Sequence, residues 1–146
     1  MRRASLVKPV GSWPEDLASD CVTLAAEDRN RRRLVLTTEG GTTFLLDLPQ
    51  AVMLRHGDGL VLDDGSIVAV AGEPEPLSEI DPAACSLVRL AWHLGNRHTD
   101  IQIVDARLRI RPDHVLENMV RSFGATVTAV EAPFDPVSTR EANGGR

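Results

Sequence analysis

The feature that most constrains the fold is a change of pattern at Glu73-Pro74-Glu75-Pro76. Alternating prolines remove backbone donors and favour extended backbone, so this run reads as a linker or the entrance to a new domain. Ahead of it, short apolar runs are separated by close turns and show almost no helical periodicity. Behind it, runs of period two take turns with runs of helical period. The pattern predicts two small units, residues 1–74 and 75–139, with a polar, glycine-rich tail at 140–146 that frays.

In the first unit the strand candidates are Cys21–Ala25, Arg33–Thr37, Thr43–Asp47, Gly59–Leu62 and Ser66–Val70. Gly40-Gly41 and Asp63-Asp64-Gly65 supply hairpin turns between them. This half reads as a small β-sandwich or half-barrel. The second unit opens with a strand at Leu77–Ile80. Asp81 then offers a helix N-cap and Pro82 the first helical position. Ala84, Leu87, Val88, Ala91 and Leu94 fall on one helical face, and Gly95 is the expected left-handed stop. Strands at Ile101–Val104 and Arg107–Ile110 flank Asp105-Ala106. A second helix starts near Pro112-Asp113, its apolar face Val115, Leu116, Met119, Val120 and Phe123, its stop Gly124. Thr126–Val130 is the last strand. The order is βαββαβ, a ferredoxin-like arrangement, so the fold class is α+β.

Aromatic residues make up only 3% of the 146 and tyrosine is absent. A core of Val, Leu, Ile and Ala in two small units is thin, and a second copy would help to cover it. The net charge is −5 and neither half is basic, which argues against nucleic acid as the main partner. The cluster Arg29-Asn30-Arg31-Arg32-Arg33 reads as a solvated turn leading into a strand. Its functional alternative is a docking patch for an acidic protein surface. Cys21 and Cys85 are too few and too far apart for a disulfide framework and read as small apolar residues, Cys85 within a helical pattern. No secretory leader or membrane span is evident, so a cytoplasmic protein is expected.

Histidine carries the most chemistry here, because a neutral imidazole nitrogen binds a cation without bringing charge of its own. His98 directly follows Gly95-Asn96-Arg97 and should project from a short loop at a helix end. One reading leaves it an exposed residue with no function. The other pairs it with its own copy across a two-fold axis, where a single sequence feature yields two convergent ligands. His93, on the polar side of the first helix, and His114, in the first turn of the second, should both face solvent as ordinary surface residues or as weaker peripheral metal sites. His56, in a glycine-rich turn, reads as structural or idle. No nucleophile-elbow, zinc-protease or deaminase motif occurs. Three classes therefore stay open: a metal carrier, a pure protein-interaction module, and a small metallohydrolase using His98.

The stretch Gly95-Asn96-Arg97-His98, with Gln102-Ile103, Arg109-Ile110-Arg111 and Asp113 to Met119, resembles the urease accessory nickel metallochaperones. Ala132-Pro133-Phe134-Asp135-Pro136, Arg31 to Leu34 and Leu45 to Arg55 with Gly57-Asp58 are similar as well. The resemblance implies a β-rich domain for protein partners, then a ferredoxin-like metal domain, and no enzyme. It implies that His98 is the principal nickel ligand, at the interface of a homodimer, and that His93 and His114 match peripheral sites. Pro112 stands where a third peripheral histidine can occur, and the chain ends without the histidine-rich tail of many members. A single intersubunit Ni(II) is thus expected, with Zn(II) or Cu(II) as competitors in vitro. The implied partners are the urease-associated GTPase and the urease apoprotein assembly complex, with no nucleic acid and no membrane.

Overall fold

A computed structural model describes residues 1–137, so the tail expected at 140–146 lies outside the described residues. The chain divides into two compact units between Glu73 and Pro74. Among the described residues, no helix is long and apolar enough to cross a membrane.

The first unit holds β1 (Arg2–Lys8), β2 (Asp20–Leu24), β3 (Arg33–Thr37), β4 (Thr43–Asp47), β5 (Gly59–Leu62) and β6 (Ile67–Gly72). They form one sheet in the order β2-β6-β5-β1-β4-β3. The Glu39 amide donates to the Cys21 carbonyl at 2.8 Å and Thr23 Oγ1 to Glu39 Oε1 at 2.6 Å, which bends the sheet into a nearly closed barrel. Alternate residues such as Val22, Leu36, Phe44, Leu46, Leu60 and Val68 point inward and are almost fully buried. The strand β1 is absent from the sequence expectation, yet it lies inside the sheet, parallel to β4 and antiparallel to β5. Its register shifts between Ala4 and Leu6, so a bulge breaks the period-two signal and leaves Leu6 outside.

Two further residues of this half are placed by the structure. Arg29 is not part of a solvated turn but is fully buried, with Nη1 donating to the Leu54 carbonyl at 3.2 Å. The Leu54 amide in turn donates to the Arg29 carbonyl at 2.7 Å, so Arg29 staples two loops. His56 is structural rather than idle, since its Nδ1 accepts the Gly72 amide at 3.1 Å, at the end of β6.

The second unit contains β7 (Glu75–Asp81), α1 (Leu87–Gly95), β8 (Gln102–Val104), β9 (Arg107–Ile110), α2 (His114–Ser122) and β10 (Thr126–Ala132). The sheet runs β10-β7-β9-β8 with every neighbouring pair antiparallel, as the ferredoxin-like order requires. Glu75 and Pro76 are not linker but the start of β7. Pro76 pairs with Glu131 of β10, while β9 pairs only with Ser78–Ile80, so no donor is demanded of the proline on that side. Both helices bury their stripes on one face of this sheet, where Leu90, Leu94, Leu116 and Val120 meet Ile80, Leu108 and Ile110.

The boundaries and face of α1 differ from expectation. Its N-cap is Ser86, whose hydroxyl accepts the Arg89 amide at 3.2 Å. Asp81 caps only a turn, accepting the Ala83 amide at 2.9 Å, and Cys85 lies in that turn outside the helix. The buried stripe passes through Leu90, whereas Val88 is 78% exposed. Val115 of α2 is likewise exposed, at 67%.

After β10 the chain folds back as a strap. Phe134 is fully buried, the Asp135 amide donates to Gln102 Oε1 at 3.1 Å, and the Val137 amide to the Ile101 carbonyl at 2.8 Å.

Candidate metal centre

The geometry of the His98 loop follows from how α1 ends. Leu94 is fully buried and anchors the helix end, and the amides beyond it turn back on the last turn: Thr99 donates to the Leu94 carbonyl at 3.4 Å and His98 to that of Gly95 at 3.0 Å. This pair of bonds requires a left-handed residue four positions after the anchor. That residue is His98, with φ +58°, and not the expected Gly95, which is still helical. Helix α2 ends in the same way around buried Val120. Ala125 donates to Val120 at 3.1 Å, Gly124 donates to Arg121 at 3.0 Å, and Gly124 has φ +98°. One cap uses glycine, which has no side chain to clash. The other uses an exposed histidine in the same role.

The left-handed backbone costs an L-residue about 1–2 kcal/mol. Strain of this kind persists where the surrounding bonds impose it, and here they hold the backbone of His98 while its imidazole stands in solvent.

The other histidines are disposed differently. His93 does not simply face solvent. Its ring lies 4.6 Å from that of Phe123 at 32°, and 5.0 Å from Trp92 edge-on at 85°, so it is half-buried between α1 and the end of α2. His114 is exposed at the start of α2, as expected. Glu117, one turn on, is turned away: Oε2 accepts the Asp113 amide at 2.9 Å and the Ser78 hydroxyl at 3.0 Å, while the N-cap Asp113 accepts the Leu116 amide at 3.1 Å.

Among the described residues, no group of three or more His, Cys, Asp or Glu side chains converges as a metal cage. His98 is thus a single exposed imidazole on a fixed loop. The outer side of α1 carries Val88 and Trp92, four residues apart on one helical face, the tryptophan 63% exposed. Sequence reasoning placed Val88 in the core and passed over Trp92. The signal was present, since Trp92 falls off the buried stripe. The resemblance quotes Arg111 but gives it no role; its Nε donates to Glu75 Oε1 at 2.9 Å while its guanidinium carbon lies over the ring of Phe134, 4.7 Å from the centroid.

Comparison with known families matches residues 5–72 to the N-terminal domain of UreE urease accessory protein and residues 75–146 to its C-terminal domain. A urease accessory protein UreE of Rhodopseudomonas palustris (strain HaA2) is 53% identical over 139 residues, covering 93% of this chain and 63% of the relative. Those of Beijerinckia indica and Rhodobacter capsulatus are 46% and 45% identical, covering 100% and 94% of this chain and 84% and 85% of their own lengths. The chain therefore spans less than two thirds of the length of the first of these relatives. Both halves of the fold match, in order, the two domains of one family of accessory factors that are not enzymes, and the chain belongs to that family, UreE.

Proposed function

We propose that this protein is a nickel-binding metallochaperone that delivers Ni(II) for assembly of the urease active site, the ion held between two protomers by His98 from each. The observation that carries this reading is the exposed imidazole at a left-handed position where the sister cap of α2 has glycine. Fold stability alone favours glycine at both places. A lone imidazole binds a divalent ion weakly, and a two-fold axis doubles it at no cost in sequence. Exposed Val88 and Trp92 on α1 give the second copy an apolar surface to cover.

Nickel accepts nitrogen and oxygen ligands, and a site of two imidazoles completed by water stays open enough to release its ion by ligand exchange. Protons compete for the same nitrogen atoms, so affinity weakens in acid. Zn(II) and Cu(II) compete in vitro. His114 is the exposed candidate for a peripheral site. His93 can join one only at the expense of its packing on Phe123. The β-rich first unit serves protein partners, namely the urease-associated GTPase and the urease apoprotein assembly complex, in the cytoplasm.

Titration calorimetry with Ni(II) tests the reading. One tight site per dimer is expected, abolished by His98→Ala with the fold intact. Unchanged stoichiometry and affinity in that variant would overturn it.

A further inference from the structure

We infer that Arg111 is the positioning residue that holds the His98 loop in place for the ion, an inference that rests on the reading of His98 as ligand. One guanidinium joins three segments that are distant in sequence. Its Nε donates to Glu75 Oε1 at 2.9 Å, at the start of β7. Its Nη1 lies 3.8 Å from Oδ2 of Asp100, two residues after His98. Its Cζ lies over the ring of Phe134, 4.7 Å from the centroid, and Phe134 is the fully buried anchor of the strap. A planar fork can stack and pair in two directions at once, which a lysine ammonium cannot do.

The cap bonds fix the backbone at His98 itself, and the stretch that follows borders an open surface pocket of about 150 Å³ lined by Thr99, Asp100, Arg111, Pro112, Asp113 and Leu116. The backbone is tied at Thr99 by the helix cap and at Ile101 by the Val137 amide. Between these ties stands Asp100, and the cation paired with it among the described residues is Arg111.

Arg111 and Asp100 are both well exposed, at 49% and 68% of their side chains, so their pairing adds little to overall stability. Its effect falls on position instead. A site shared by two protomers uses two such loops, and the loss counts twice. A partly screened pair is worth about a threefold change in affinity for one loop, hence about tenfold for the symmetric site.

The test is Ni(II) titration of the full chain as wild type, Arg111→Met, Asp100→Asn and the double variant, with amide hydrogen exchange on each. Methionine keeps an apolar stem over Phe134 while removing the charge. Both single variants are expected to bind nickel about tenfold more weakly, and the double variant no more weakly than either. Exchange at His98 and Thr99 should quicken while Gly124 and Ala125, in the sister cap, keep their protection. Wild-type affinity in Arg111→Met and Asp100→Asn overturns the proposal. So does a further loss in the double variant, which would make Asp100 a ligand in its own right. If Arg111→Met does not fold, Asp100→Asn decides alone, since it changes one exposed side chain. Nickel binding that survives His98→Ala refutes the underlying assignment of the ligand, whatever Arg111 does.

Discussion

Replacing His98 by glycine separates the residue's proposed role as ligand from what it does to the fold. The left-handed backbone at φ +58° costs a side-chain-bearing residue about 1–2 kcal/mol. Glycine removes that strain but returns about 0.5–1 kcal/mol through its greater freedom in the unfolded chain. The net expectation for His98→Gly is a gain of about 0.5–1 kcal/mol, which raises the transition that melts the second unit by about 2–8 °C. His98→Ala keeps a Cβ in the same conformation and should show no such gain. Both variants should lose the tight nickel site. Calorimetric melting of the metal-free proteins, side by side with nickel titration, reads both effects. If His98→Gly melts at or below the temperature of His98→Ala, the backbone at this position stores no strain. The inference from strain to function then falls, even if nickel binding is lost.

Three more outcomes concern other parts of the molecule. Truncating fully buried Phe134 to alanine should cost about 3–5 kcal/mol in denaturant unfolding; a loss under about 1 kcal/mol would show that the strap is not part of the folded unit. The Ser66 hydroxyl and amide, then Arg2, hold the Asp64 carboxyl well below the usual carboxylate range. A depressed folded pKa gives stability that is present above the unfolded value, about 4, and is lost as pH falls below it. Asp64→Asn should therefore flatten the acid limb of the stability profile, and an unchanged slope below about pH 4 would contradict the assignment. Burial pushes the Cys21 thiol up, and the carboxylates of Glu39 and Asp20 add to the effect. Its alkylation by iodoacetamide at mildly alkaline pH should lag behind that of an unstructured cysteine peptide, and equal rates would refute this.

Most of the architecture was legible because the periodicities were clean. The later strands of the first unit and the βαββαβ order of the second appear in the residue pattern with small shifts of boundary. Where the reading failed, a non-local contact decided the outcome. The strand β1 carries a bulge, so its alternation breaks, and only its partners β4 and β5 define it. Arg29 looked solvated because its neighbours are charged, yet the carbonyl of Leu54 awaits it inside. At the end of α1, Gly95 drew the eye as a stop, but the left-handed position is set by the distance from buried Leu94 and falls on His98. His98 itself could be singled out from sequence, as a histidine in a loop. That its backbone is the counterpart of Gly124 could not, since this depends on which carbonyls the returning amides reach. Arg111 was hidden for a related reason, because Glu75, Asp100 and Phe134 lie far from it in the chain.

The strap also bears on how such a protein can change over time. Its last described bond joins Val137 to Ile101, three residues from His98. A substitution in the strap that loosens this bond reaches the loop of His98 without touching it, so drift in the one is felt in the other. Packing around buried Phe134 and the placement of His98 therefore vary together rather than independently.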